Sequence, residues 1–555
     1  MSKGRLSFVI LFIALVAIAI ISKLVLMNTA EHKFLARQGA DRVERIVQEH
    51  AYRGSIVDRN GSPLAVSTPV DSLWVNPLNV KPKSQNFKKV LKMLDLSKAQ
   101  QAKIIKRINK RLGRSGFVYL KRKVNPQIAT EIANMEVLGV HLKREYKRYY
   151  PTGEVTSQVV GFTNVDNKGQ EGMELMYNSW LDGEGGQQKI WRDAKGYHAV
   201  KLGKGKASKN GNDMALSIDR KIQYIAYKAL KEGVVKNNAM AGSVVVMDVK
   251  TGEILAMANQ PSYNPNNMKT ATPEKRRNRA VTDVFEPGSV MKTFSAVTGL
   301  KSGEYTPESI VKTSPGYYRV GGKTVRDFRN YGDMNLGYIL LKSSNVGISK
   351  VILSLPHEML PNTMREFGFG QTSGVEFPGE RSGYVPMPRK WGEFPLATLS
   401  FGYGMNLTAL QLARGYAALG NHGKLVKPTF IRKNKGEKIE ALQVIDHEVA
   451  DQVLAMLENV VEGKGGTGAK AKIWGYHMAG KTGTTRKAIK GGYATDDYMA
   501  VFSGLAPATN PKLVVVVVVD GPKGESYGGG SVSAPIVAKI MAQSLKVLGV
   551  RPDKV

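Results

Sequence analysis

The chain has 555 residues, 42% of them hydrophobic, enough apolar material for two or three domains and a large core. It has no cysteine, which excludes disulfide frameworks, thiol nucleophiles and Cys-ligated zinc or iron–sulfur sites; its eight scattered histidines contain no H-E-x-x-H, so neither metal nor cofactor is expected. Eighty Lys and Arg against 46 Asp and Glu give a net charge of +34, a balance that points first to a polyanionic partner. The N-terminal segment narrows that choice. Leu6 to Ser22 carries no charge, Lys23 interrupts, and an apolar run continues to Met27. This is close to the length of a bilayer span, with Lys23 able to snorkel to the interface. Lys3 and Arg5 precede it and favour a cytoplasmic N-terminus. The apolar run is long for a cleaved signal peptide, and no A-x-A follows it. The reading is therefore a cytoplasmic tail at 1–5, a single-pass anchor at 6–27 in the cytoplasmic (inner) membrane, and the remainder in the periplasm or outside. An exported chain has no nucleic-acid partner. The basic clusters at 106–114, 121–123 and 143–148 read mostly as solvated helix faces; anionic headgroups or an acidic polymer substrate remain as partners for the charge.

After the anchor, residues 31–49 read as one helix leading away from the membrane. Residues 53–67 show two short strand-like runs around the Asn60–Gly61 turn signal. Residues 86–112 read as helices of a small lobe, 116–124 as a strand and 125–135 as a helix. The Lys- and Gly-rich stretch 202–212 reads as an exposed loop near a boundary, which separates an N-terminal region at 28–215 from a C-terminal domain at 216–555. Asp219 is placed to cap a helix over about 220–235. Val244–Val249 and Glu253–Ala258 read as a hairpin turning at Lys250–Gly252. Near the C-terminus come two further strands, the second an unbroken β-branched run (residues 513–519) suited to a central strand covered on both faces, then a helix with Pro535 in its first turn. Helix, hairpin, a long helical middle, then strands and a helix describe an α/β sandwich around an all-helical insert.

Three short motifs fall within that frame. Ser289 and Lys292 follow Pro287–Gly288, and the apolar stripe Val290, Met291, Phe294, Val297, Leu300 has helical spacing. Residues i and i+3 share a helix face, so a hydroxyl and an amine can meet there, the amine acting as base for a nucleophilic serine if it is neutral. Ser343-Ser344-Asn345 lies 54 residues further on, and Lys481-Thr482-Gly483-Thr484 lies 136 residues after Asn345. Each motif alone is weak: Ser343 and Asn345 also suit a helix cap, and K-T-G also suits a strand-end turn. In this order, with K-T-G just before the paired strands, S-x-x-K, S-x-N and K-T-G form the signature of penicillin-recognising serine acyltransferases.

On these motifs, and on the stretches at 53–67, 169–186 and 400–423 together with Val70–Pro77, the chain resembles class B penicillin-binding proteins of the septal, cell-division (FtsI) type. The resemblance implies the penicillin-recognising serine transferase fold: an antiparallel sheet with flanking helices and an all-helical subdomain, preceded by an elongated α+β pedestal of dimerisation type and one transmembrane helix. It implies a D,D-transpeptidase, without glycosyltransferase activity, that cross-links peptidoglycan stem peptides and is acylated by β-lactams. Ser289 would be the nucleophile and Lys292 its base, with burial and the like charge of Lys481 lowering the Lys292 pKa. Ser343 would relay a proton, and Asn345 would hold Lys292 and the substrate amide. Lys481, Thr482 and Thr484 would bind the terminal carboxylate, Gly483 would allow close approach, and the backbone N–H groups of Ser289 and Thr484 would form the oxyanion hole. Stem peptides, β-lactams, the membrane, a SEDS-family glycosyltransferase and other division proteins are the implied partners. An elongation-type enzyme, a D,D-carboxypeptidase and a non-enzymatic β-lactam sensor or division scaffold share much of this pattern. A β-lactamase is disfavoured by the anchor, the pedestal and the absence of E-x-x-L-N between Asn345 and Lys481.

Overall fold

The computed structural model describes residues 3–49, 51–192, 199–201 and 205–554. Of the basic loop expected at 202–212, residues 202–204 lie outside these; Gly205–Asn212 is mostly exposed. The first helix, α1 (Lys3–Asn28), is apolar on all sides, has no buried side chain, and is long enough to cross a bilayer. A run of this length with few charges suits lipid surroundings. The helix expected over 31–49 is shorter than its sequence indicates. It ends as α2 (His32–Val43), and the chain continues as strand β1 (Glu44–Glu49), paired antiparallel with Gly186–Arg192. β-Branched Ile46 and Val47 favour a strand once a partner is present, and the partner lies about 140 residues away, beyond the reach of local periodicity.

Packing divides the chain into two compact units that interleave in sequence. The first comprises Met1–Gly54, Val70–Tyr146 and Asp182–Asn212; the second comprises Ser55–Pro69, Lys147–Leu181 and Asp213–Val555. In the first, the later part of β2 (Pro63–Val75) pairs antiparallel with β3 (Val118–Val124) from Asp71↔Val124 to Val75↔Val118. Helices α3 (Gln85–Met93), α4 (Lys98–Asn109) and α5 (Pro126–Asn134) close a small core of Leu73, Phe87, Val90, Leu91, Ile104, Ile108, Leu120 and Ile132. Their starts are set locally: Ser84 and Ser97 accept N–H groups of the first turn, Ser97 and Gln100 complete a capping box, and Asn125 caps ahead of Pro126.

In the second unit, Ile56–Val57 pairs with the start of β2 across a turn where Gly61 takes φ +82°, as the Asn-Gly signal predicts. Asp219 caps α6 (Arg220–Lys236) by accepting from the N–H groups of Lys221 and Ile222. The expected hairpin is β4 (Ala241–Asp248) and β5 (Ile254–Gln260). The helical insert contributes α7 (Lys292–Lys301), α8 (Leu336–Lys342), α9 (Asn345–Leu353), α10 (Ala409–Gly420) and α11 (His447–Glu462). The chain then returns as β6 (Ala479–Ile489), β7 (Gly492–Ala506) and β8 (Leu513–Asp520), followed by α12 (Gly529–Val547).

The sheet order is β5-β4-β8-β7-β6, antiparallel throughout, so the valine run of β8 is central and β6 is an edge. Alternation sorts β8 between two cores. Val514, Val516 and Val518 join the helical insert, with Phe294 and Leu410. Leu513, Val515, Val517 and Val519 join α6 and α12, with Leu230, Val537 and Ile540. An α/β fold with an antiparallel sheet between two helical layers is therefore as expected. The start of α12 differs: the helix begins at Gly529, so Pro535 is interior, with its ring exposed. The glycines explain the earlier start. A Cβ on Gly529 would come within 2.2 Å of the Val501 carbonyl and 2.3 Å of that of Gly483, so this turn fits against the sheet only without a side chain.

Candidate active site

Gly288 adopts φ +62°, and a Cβ there would lie 2.3 Å from Thr485 Cγ2, so both conformation and space call for glycine before the nucleophile position. A 3₁₀ turn, Gly288–Met291, then runs into α7. From Pro287 to Leu300 every residue is buried except Ser289, which is partly exposed. Its hydroxyl makes no hydrogen bond among the described residues. The expected direct Ser289–Lys292 pairing is thus not formed here.

Lys292 is instead turned to Ser343. Its Nζ donates to the Ser343 carbonyl at 2.5 Å and to Ser343 Oγ at 3.1 Å, while Lys481 Nζ donates to the same Oγ at 3.0 Å. One hydroxyl therefore bridges two lysines, both with no solvent exposure. Two ammonium groups in such a place are not sustained. Burial, followed by the like charge of Lys481, holds Lys292 well below its ordinary value, with the Asp327 carboxylate pulling the other way. Burial alone brings Lys481 down to about 7. The site thus keeps neutral amines available near neutral pH.

Ser343 itself takes φ +58°, a left-handed conformation uncommon for a residue with a Cβ, in the step between α8 and α9. The next two residues are fixed by Asp327, which no sequence motif marked. Its Oδ2 accepts from Ser344 Oγ at 2.5 Å; its Oδ1 accepts from the N–H of Asn345 at 2.5 Å and of Val346 at 3.0 Å. Asn345 does not hold Lys292: its Nδ2 donates to the Arg326 carbonyl at 3.0 Å, because its backbone is drawn to the Asp327 side of the turn. Ser344, not Ser343 or Asn345, caps α9, accepting from Gly347 N–H at 2.9 Å.

On edge strand β6, Gly483 passes so near the nucleophile turn that a Cβ would come 2.7 Å from the Pro287 carbonyl. Thr484 Oγ1 accepts the Gly529 N–H at 2.9 Å, and Thr482 Oγ1 donates to Thr467 Oγ1 at 3.3 Å. Glu286, also unmarked by any motif, ties nearby loops together: its Oε1 accepts from Gly404 N–H at 2.9 Å and from Tyr493 OH at 3.1 Å, and burial raises its pKa. Thus Ser289, Lys292, Ser343, Lys481 and Gly483 converge, Thr482 and Thr484 flank them on the strand, and Asn345 stands one hydrogen bond aside.

Residues 242–542 match the penicillin binding protein transpeptidase domain, and 48–216 match the penicillin-binding protein dimerisation domain. The peptidoglycan D,D-transpeptidase FtsI of Escherichia coli K12 is 40% identical over 524 residues, covering 94% of this chain and 87% of that protein. The chain belongs to the FtsI type of class B penicillin-binding proteins. The probable peptidoglycan D,D-transpeptidase PbpC of Pseudomonas aeruginosa is likewise 40% identical over 550 residues, 99% of this chain and 96% of that one. The crystal structure of penicillin binding protein 3 from Mycobacterium tuberculosis, complexed with aztreonam, superposes with a TM-score of 0.69 at 27% identity, over 91% of this chain and 98% of that one. The family read from the three motifs together with the stretches at 53–67, 169–186, 400–423 and Val70–Pro77 is the family found. With its apolar N-terminal helix and these relatives, the protein is membrane-anchored.

Proposed function

We propose that this protein is a serine-type peptidoglycan D,D-transpeptidase of septal wall synthesis, working through an acyl-enzyme on Ser289. The Lys292–Ser343–Lys481 cluster carries the reading: a hydroxyl between two buried, proton-poor amines, beside the one accessible hydroxyl of the turn. Ser289 Oγ attacks the carbonyl between the last two D-alanines of a donor stem peptide, and Lys292 takes its proton. The developing oxyanion is met by the Ser289 and Thr484 N–H groups. The C–N bond breaks, and the departing D-alanine amine receives a proton through Ser343. An acceptor amine then attacks the ester and gives up one of its own N–H protons through Lys292 to Oγ as the C–Oγ bond breaks, which restores Ser289 and makes the cross-link. Thr482 and Thr484 receive the donor's terminal carboxylate, Lys481 supporting it from behind the strand, and Asn345 faces the substrate amide. The transpeptidase reading gives chain polymerisation to a separate membrane glycosyltransferase, of the SEDS family, working with other division proteins. The N-terminus lies in the cytoplasm, 6–27 spans the membrane, 28–215 is the pedestal and 216–555 the transpeptidase domain.

The test is covalent labelling by fluorescent penicillin. Wild-type protein takes one adduct, mapped to Ser289, that persists far longer than a β-lactamase turnover; Ser289→Ala folds and takes none. Equal labelling of the alanine variant, or loss of the wild-type adduct within seconds, removes the assignment.

A further inference from the structure

We propose that Asp327 is a positioning residue for the acylation step: its carboxylate fastens the Ser343–Asn345 turn in its left-handed form and sets a countercharge toward the base. This rests on the transpeptidase reading of the site. Asp327 follows a short antiparallel hairpin, Tyr317–Val320 with Lys323–Arg326, which projects from the helical insert. It is 16 residues before Ser343 in sequence and reaches the motif only through the fold.

Three donors converge on its two oxygens, namely the Ser344 hydroxyl and the N–H groups of Asn345 and Val346. These N–H groups belong to the first turn of α9, where no intrahelical acceptor exists for them. A carboxylate at that place also complements the positive end of the helix. The Ser344 side chain is doubly engaged, donating to Asp327 and accepting from Gly347 N–H. Held from the C-terminal side in this way, the chain enters α9 along one path only. Ser343 must then make the left-handed step out of α8, a conformation that persists where surroundings over-determine it. That step aims both the carbonyl and the hydroxyl of Ser343 at Lys292 Nζ. Ser343 also ends α8 as its left-handed cap, with the Ser344 N–H donating to the Ile339 carbonyl at 3.0 Å; without the clamp this cap alone holds the strained residue, and the hydroxyl between the lysines moves off.

Asp327 acts on Lys292 in a second way. The charged groups that bear on Lys292 are Lys481, from β6, and Asp327, from the loop before α8; they act in opposite senses. Burial and Lys481 drive the proton off; Asp327 retains it. Removing only the charge therefore lets Lys292 lose its proton at lower pH. Removing the whole side chain adds the geometric loss. A residue with a purely structural role predicts the second effect without the first.

The experiment measures the second-order rate of penicillin acylation against pH for the full-length protein in detergent, with thermal unfolding of each variant recorded alongside. Asp327→Asn can still accept from the two N–H groups but carries no charge. It is expected to shift the acid limb of the profile to lower pH. Asp327→Ala is expected to lower the plateau rate by about 10²-fold, the size of effect that a misplaced catalytic group produces. Ser344→Ala, which keeps the charge and loses one clamp bond, is expected to lower the plateau without moving the limb. The proposal is overturned if Asp327→Asn leaves the acid limb where it is in the wild type, or if folded Asp327→Ala acylates within about twofold of the wild type. A failure of the parent reading looks different: wild-type protein itself would not label at Ser289.

Discussion

Residues 70–146 carry seventeen Lys and Arg against five Asp and Glu, and on α4 and just past it Lys103, Lys106, Arg107, Lys110 and Arg111 all stand in solvent with no acidic partner among the described residues. In the transpeptidase cleft, by contrast, Lys292 and Lys481 have no solvent at all and share one serine hydroxyl. The stretch supplies a net 17 − 5 = +12 of the +34 charge, yet these five cations are hydrated, and the last turn of α4 favours Lys106 and Arg107. The second pair holds its protons less tightly than surface lysines do, because burial disfavours the charged form. The same residue type is thus a solvated surface group in one region and a reagent in the other. What separates them is access to water, which a charge count does not record.

The largest expected break in that contrast is Lys292→Arg. A guanidinium keeps its proton whatever its burial, so it cannot serve as base; penicillin acylation should fall by about 10²–10⁴-fold. Near-normal acylation would take Lys292 out of the mechanism. Next is Gly288→Ala, which forces a Cβ into a left-handed position and against Thr485. It should cost about 1–3 kcal/mol of stability, read as a lower urea midpoint, and slow acylation as well. A third test uses linkage. In the unfolded chain a lysine keeps its proton to about pH 10.4, whereas Lys481 in the fold loses it at about 7 and Lys292 is also well below its ordinary value. Between those limits the unfolded chain binds more protons, so stability contributed by these sites rises with pH across that window and is lowest below 7. The Lys292→Met, Lys481→Met double variant should show a flatter dependence of the urea midpoint between pH 7 and 9. The smallest effect belongs to the other region: Lys106→Gln with Lys110→Gln should leave stability within about 0.5 kcal/mol and acylation unchanged.

How much of this was legible in the sequence follows from the same contrast. Ser289, Lys292, Ser343 and Lys481 could be named because nucleophile, base and relay must be those residue types, and the family keeps their order. The pKa direction at Lys292 came with the family resemblance, which implied a buried base beside Lys481. Asp327 and Glu286 were not readable: each is one carboxylate among 46 acidic residues, and only tertiary contacts at Ser344 or Tyr493 distinguish them. Asn345 was assigned a bond to Lys292 that it does not make, because the motif gives residue identity and the clamp on its backbone gives direction. The β4–β5 hairpin and the central position of β8 came from period-two patterning and a β-branched run, both local signals. The strand at Glu44–Glu49 and the early start of α12 were missed because the first depends on a distant partner and the second on the space left by Gly529.

The account turns on lysine amines that are neutral at physiological pH, and the pH dependence of Ser289 acylation by penicillin in the wild-type protein tests it most directly. Acylation needs the unprotonated base, so the rate should climb with pH only while the buried lysines lose their protons, and should be level well before the pH at which an ordinary lysine titrates. A rate still rising about tenfold per pH unit as it nears 10, where an ordinary lysine titrates, would contradict it.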